Sequence, residues 1–207
     1  MVLHSVEREM AMPDDDALLS ALRARSPDAF GQLFEMYSDR MFRLAVGMLG
    51  SEDEAEDVVQ EVFLRFFEKL DDFEGRSQVG TWLYRAVHNA SVDRLRRRRP
   101  TLTLTDELES EDTASFPAPS ILADWSNAPE AMFDSVEAQA ELEASVAMLP
   151  ESLRAVFLLR DVEGLSTAET AQILNISVSA AKVRLHRARL QLREHLSAYF
   201  NERLQAA

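Results

Sequence analysis

Apolar side chains recur along most of this chain at intervals of three and four, the spacing of one face of an α-helix at about 100° per residue. Phe30, Leu33, Phe34, Tyr37, Met41, Leu44, Ala45 and Met48 fall on such a face. Ser26-Pro27-Asp28 supplies a cap, a proline at the first helical position and an early acid, and Gly50 supplies the stop. Ser51-Glu52-Asp53-Glu54 reads as a capping box that opens a second helix reaching Leu70. A third runs from about Gln78 to Pro100, and no alternating β-pattern of useful length interrupts this block. The spacing then disappears between Thr101 and about Asp134, where Pro117, Pro119 and Pro129 stand among Ser, Thr and acids. So long an aperiodic stretch exceeds an ordinary loop within a domain and predicts a linker. Helical spacing returns from Ser135 to Met148. Leu149-Pro150-Glu151 then begins a second unit with Leu153, Val156, Phe157 and Leu158 as core and Gly164 as a turn.

The end of that second unit carries the sharpest local signal. Ser166 caps a helix with Glu169 three residues on, Asn175-Ile176-Ser177 interrupts it, and Ser177 offers a fresh cap before Val178. Two short helices joined by a tight polar turn form a helix-turn-helix signature, whose second helix enters a DNA major groove. On that helix the spacing sends Val178, Ala181, Leu185, Ala188 and Leu192 inward. Ser179, Val183, His186 and Arg187 face outward, with Lys182 and Arg184 on the shoulders. Lys and Arg suit phosphates and guanine edges, and an outward valine suits a thymine methyl. The alternative is a basic amphipathic helix whose charges are merely solvated.

Composition changes this picture in one respect. The net charge of -14 opposes nucleic-acid binding overall, yet its distribution does not. Pro100–Glu151 holds twelve acids and no Lys or Arg, Arg76–Arg99 holds seven arginines against one acid, and Lys182–Arg203 holds six bases against two acids. Phosphate affinity follows the local field, because charges beyond about 10 Å are largely screened at moderate salt. No cysteine is present, which excludes disulfides and thiolate metal sites and points to a reducing, cytoplasmic setting. No hydrophobic run approaches a membrane span, so no membrane contact of its own is expected, and the N-terminus lacks the apolar core of a signal peptide. The four histidines lack metal-ligand spacing, and no nucleophile elbow, phosphate loop or dinucleotide glycine pattern occurs. An enzyme is not expected: no catalytic residue, cofactor or metal is assigned.

Two stretches of the first block carry further chemistry. The stretch from Ala55 to Phe67 is rich in acids and in phenylalanine: either Val59, Phe63 and Phe67 are core beside a wet acidic face, or Asp57, Gln60 and Glu61 with neighbouring apolar side chains form a docking surface for a basic partner. From Thr81 to Arg99, aromatics, amides and arginines are interleaved, which suits unpaired bases stacking on rings while their backbone lies along positive charge. The bland alternative makes Trp82 and Tyr84 ordinary core and Arg96–Arg99 a favourable helix end. Four consecutive arginines exceed what a helix end requires.

The order Asp57-Val58-Val59-Gln60-Glu61-Val62-Phe63, Phe73-Glu74-Gly75-Arg76, Thr81-Trp82-Leu83-Tyr84-Arg85, then Leu149-Pro150-Glu151 with the helix-turn-helix, resembles the bacterial sigma-70 family in its small extracytoplasmic-function subgroup. The resemblance implies an all-α chain of two small helical domains, sigma regions 2 and 4, on a flexible acidic linker. Its expected divisions are a mobile tail at 1–13, region 2 at 14–99, linker at 100–137 and region 4 at 138–200. It also implies a transcription initiation factor that binds core RNA polymerase and promoter DNA and is commonly restrained by an anti-sigma factor.

By that resemblance Asp57, Gln60, Glu61 and Phe63 dock on polymerase. Trp82, Tyr84, Arg85, His88, Asn89, Arg94, Arg96 and Arg97 melt and read the -10 element, Asn89 taking a flipped-out base. Ser179, Lys182, Val183, Arg184, His186, Arg187 and Arg189 contact the -35 element, with Arg184 and Arg189 on phosphates. The linker acids are further expected to fold back onto Arg94–Arg99 or the helix-turn-helix and suppress DNA binding by the free protein. The rival readings are a stand-alone helix-turn-helix regulator, which leaves the arginine-rich helix idle, and an adaptor with no DNA face.

Overall fold

A computed structural model of the chain describes residues 15–71, 73, 78–98 and 136–206. The tail at 1–13 and the linker up to residue 135, with the expected fold-back of its acids, lie outside the described residues. Among those described, every regular element is helical: α1 (Asp15–Arg23), α2 (Pro27–Leu49), α3 (Glu52–Glu68), α4 (Val79–Arg98), α5 (Val136–Met148), α6 (Glu151–Phe157), α7 (Thr167–Leu174) and α8 (Val178–Ala206).

In the first unit α2 is the central rod. Its stripe of Leu33, Tyr37, Met41, Leu44, Ala45 and Met48 is buried against α3 and α4, while Phe34, expected on the same face, is 52% exposed at the stripe's edge. Gly50 takes the left-handed conformation at φ 68°, where a side chain would be strained, and its N–H bonds the Val46 carbonyl at 2.7 Å. Ser51 then accepts the Glu54 amide at 3.4 Å. The expected capping box is only half made, because the Glu54 carboxylate is taken by Arg98 of α4. Close approach of α4 to α2 depends on Gly80, where an added Cβ would lie 2.6 Å from the Tyr37 hydroxyl.

In the second unit, α6 runs without a break into one π-helical turn, Leu158–Val162, closed by the Glu163 N–H on the Leu158 carbonyl at 2.9 Å. Such a turn holds one residue more than an α-turn and so rotates the side chains that come after it about the helix axis. Here Asp161 meets α8, and Glu163 meets the first unit. Both capping predictions at the helix-turn-helix are realised. Ser166 Oγ accepts the Glu169 N–H at 3.2 Å and Glu169 accepts the Ser166 N–H at 2.8 Å, while Ser177 Oγ accepts the Ala180 N–H at 3.1 Å. Asn175 makes the turn between α7 and α8 in the left-handed conformation, φ 54°.

The two units pack on each other, and their cores are continuous. Leu153, Leu158, Leu159, Ile173, Ala188 and Leu192 belong to the same buried cluster as Met41, Met48, Val62, Phe66 and Leu83. The seam is formed by α4 against α7 and by α2 against α5, α6 and the π-turn. Gly47 permits it: Leu158 side-chain carbons lie 2.7 and 2.8 Å from where a Cβ would stand.

Candidate nucleic-acid interface

Helix α8 places its stripe as the spacing requires, with one exception. Ala181, Leu185, Ala188 and Leu192 are buried, but Val178, expected to point inward, is 45% exposed. It stands at the first helical position, before the helix has closed onto α7, so it adds an apolar contact to the outer face beside Ser179. Lys182 and Ser179 are exposed, and Val183, Arg184, His186 and Arg187 are half-buried. Arg189 behaves differently. Its guanidinium makes a two-pronged pair with Asp161 at 2.8 and 2.7 Å, which raises its pKa above the ordinary arginine value against the opposing effect of burial. In this arrangement Arg189 ties α8 to the π-turn, and an expected phosphate contact would have to compete with Asp161.

Helix α4 divides along its length. At its start Trp82 is half-buried with its ring 5.3 Å from Phe66, and Tyr84 is only 2% exposed. The Tyr84 hydroxyl donates to Glu163 at 3.1 Å, and burial, then the Glu163 charge, push its pKa up. Tyr84 is therefore core in this arrangement and offers no ring to a base. Arg85 donates to the Gln172 carbonyl of α7 at 2.5 Å. His88 and Asn89 lie within hydrogen-bond distance of each other at 3.3 Å. Burial, aided by the Arg96 charge and opposed by the Asn89 contact, lowers the His88 pKa from its ordinary 6.5. His88 is thus a neutral ring at physiological pH. Asn89, Arg96 and Arg97 are exposed.

The acids of α3 lie directly beside this helix. Arg94 reaches Asp57 at 3.3 Å and Glu61 at 3.8 Å, which joins the residues expected to touch DNA to those expected to touch a protein. Asp57, Gln60 and Glu61 are exposed, whereas Phe63 is 4% exposed and belongs to the core. Phe63 does line an apolar groove of about 530 Å³ between α2 and α3, with Phe34, Phe42, Leu64 and Phe67, rimmed by Asp39, Glu56 and Gln60. Leu64 is 63% exposed there. The spacing did not show this groove, because Phe34 falls at the edge of the core stripe and Phe42 stands alone on the outer side of α2. Only their eight-residue separation around polar Ser38 hints at a second, outward stripe.

One chain thus holds an exposed acidic patch beside an apolar groove, an arginine-rich helix tied to it, and a capped helix-turn-helix with a cationic outer face. The family model for Sigma-70 region 2 matches residues 33–101, and that for Sigma-70, region 4 matches residues 139–192. Among relatives, the ECF RNA polymerase sigma factor SigW of Bacillus subtilis is 35% identical over 169 residues, 82% of this chain and 89% of that one.

The chain belongs to the sigma-70 family, in its ECF group.

The solved structures extend this sigma-factor likeness to three dimensions. CnrH, determined in complex with the cytosolic domain of CnrY, superposes with a TM-score of 0.64 at 25% identity, covering 89% of this chain and 97% of that one. The sigma factor RpoE of Bartonella quintana, determined in complex with the anti-sigma factor NepR, superposes with a TM-score of 0.60 at 25% identity, covering 81% and 96%. In family terms the region 2 match covers α2 from Leu33 onward, α3 and α4, and the region 4 match covers most of α5, α6, α7 and α8 as far as Leu192. Among the described residues no helix is long and apolar enough to cross a membrane, and no cluster of His, Asp and Glu is arranged to hold a metal.

Proposed function

We propose that this sigma factor binds core RNA polymerase and directs it to promoters by reading the -10 and -35 elements, working in the cytoplasm and contributing no catalytic residue of its own. The observation that carries the reading is the ion-pair junction between Arg94 and Asp57 and Glu61, which sets a protein-docking surface and a DNA-facing helix back to back in one small unit. The docking surface consists of Asp57, Gln60 and Glu61 with the neighbouring groove. Its exposed acids and apolar floor suit a basic amphipathic helix, anchored by apolar side chains in the groove.

Helix α4 takes the -10 strand. Asn89 offers both a donor and an acceptor to an extruded base, and Arg96 and Arg97 lie along the backbone. Trp82, Tyr84, Arg85 and Arg94 join them once released from their present partners. Helix α8 enters the -35 major groove. Lys182 and Arg187 read base edges or phosphates, and Ser179, Val183 and His186, now with Val178, complete a small mixed surface. Arg184 remains on the shoulder, suited to a phosphate. Relatives whose solved structures contain an anti-sigma factor make such a restraint the expected partner here too.

The test is transcription by purified core polymerase on a promoter library, with and without the protein. Specific starts sharing -10 and -35 elements are expected. Binding to core without stimulation would instead make the protein an adaptor, and no binding to core would make it a stand-alone regulator. Lys182→Ala should weaken duplex binding and reduce the magnitude of the salt slope by about one phosphate contact, while leaving affinity for core polymerase unchanged.

A further inference from the structure

Val178 is an apolar side chain left 45% exposed at the first helical position of α8, on a surface that is otherwise polar or cationic. Ser177 and Ser179 flank it, and Lys182 stands one turn further on, all three exposed. Residues four apart on a helix are neighbours, so Val178 and Lys182 share one flank. Ala181, Leu185 and Ala188 of the same helix gain stability by burial, which the Val178 methyls largely forgo.

The backbone on both sides of Val178 is firmly held. Asn175 takes the left-handed conformation, and the Ile176 N–H bonds the Ala171 carbonyl at 3.0 Å. Ser177 Oγ accepts the Ala180 N–H at 3.1 Å, and the Ser177 carbonyl accepts the Ala181 N–H at 3.0 Å. Valine is itself stiff in a helix, because its branched Cβ leaves one strongly preferred rotamer. The methyls are thus aimed before DNA arrives, and covering them loses little side-chain entropy. The serines beside them are poorer readers than they look. Their hydroxyls lie 2.9 Å apart and share a hydrogen bond, so the pair offers one donor hydrogen outward instead of two.

In the major groove the apolar group that a base pair presents is the C5 methyl of thymine. Methyls pressed on an amino group or a carbonyl would strip it of water and return no hydrogen bond. A fixed valine therefore favours thymine over the other bases at the position it covers. Val183, the outward valine that the spacing suits to a thymine methyl, is half-buried and about 140° around the helix from Val178.

We propose that Val178 is a specificity-determining residue, packing its methyls on the C5 methyl of one thymine in the -35 duplex, beside the position taken by Lys182. The proposal rests on the reading of α8 as the -35 helix. It gives a reading role to a residue that the spacing assigned to the core.

The test uses holoenzyme, assembled from core polymerase and the full chain, on a promoter selected from the library. Each -35 thymine of either strand is replaced in turn by deoxyuridine, which removes the methyl and nothing else. At one position the replacement should weaken native binding about fourfold, the loss expected when one methyl-sized contact is returned to water. Val178→Ala should weaken binding to the thymine promoter by a similar factor and bind the thymine and deoxyuridine forms alike. Alanine suits a helix at least as well as valine, so α8 should stay formed. The salt slope should be unchanged in Val178→Ala, because an apolar contact releases no counterions. Lys182→Ala should do the reverse: a shallower salt slope, with the preference for thymine over deoxyuridine kept.

A -35 element without thymine on either strand, or thymines that all tolerate deoxyuridine, would overturn the proposal. So would a deoxyuridine penalty that survives Val178→Ala, or one that Val183→Ala removes and Val178→Ala does not. Each of those outcomes leaves α8 as the -35 helix. Binding indifferent to the whole -35 element would remove that reading, and the proposal with it.

Discussion

His88 shows at the scale of one residue how burial sets the protonation state of a side chain. Its pKa lies below the ordinary 6.5 because the folded chain takes the ring out of water. The consequence for stability has a definite sign. Above pH 6.5 the ring is neutral in both folded and unfolded chains, and stability is unaffected. As pH falls below 6.5 the unfolded chain gains the proton first, so stability declines until the folded ring also titrates. His88→Gln should therefore lose less thermal stability than the native chain between about pH 7.5 and 5.5. Equal losses would show that the ring is not held neutral. Arg94 gives a contrasting expectation, since its partners Asp57 and Glu61 are 67% and 45% exposed. Pairs of that kind contribute about 0–1 kcal/mol. Asp57→Asn with Glu61→Gln should barely move the melting temperature while markedly weakening binding to core polymerase, measured by competition with another sigma factor.

At the scale of elements, most of the fold was legible because caps and apolar spacing act locally. Ser166 and Glu169 declare the start of α7 in four consecutive residues, and the structure makes both bonds. Ser166→Ala should cost about 1 kcal/mol in a denaturation experiment, with a Gly substitution costing less. Gly50 and Asn175 were legible as stops for the same reason: both adopt the left-handed backbone. The π-turn was not legible, because an extra residue in one turn leaves the apolar spacing of Leu153, Val156 and Leu159 nearly intact. Contacts between distant segments were also hidden. Nothing near Gly80 in sequence shows that Tyr37 will stand where its Cβ would be. Gly80→Ala should destabilise region 2 by about 1–3 kcal/mol through forced displacement of that ring, and melts of the isolated substitution test it.

At the scale of the whole molecule, the site residues divide by how their roles arise. The outward face of α8 comes from a helix and its one buried stripe, so Ser179 and Lys182 were legible as exposed. Tyr84, Phe63 and Arg189 have surroundings that the spacing could not show, because each meets a group far away in sequence: Glu163, the α2–α3 core and Asp161. Arg43 and Glu163 went unnoticed, since a lone surface arginine and a lone acid before a turn carry no signal until the chain between them, a separation of 120 residues, is folded.

The continuous core across the seam has a thermodynamic consequence. Leu158, seated over Gly47, and its neighbours would return to water in any complex that separates the regions without covering them. Exposing apolar surface raises heat capacity, whereas burying it in a new interface lowers it. Calorimetry of the native chain binding core polymerase should thus record a smaller negative heat-capacity change than Arg43→Gln records on the same partner. The difference measures the apolar surface that the free protein keeps to itself.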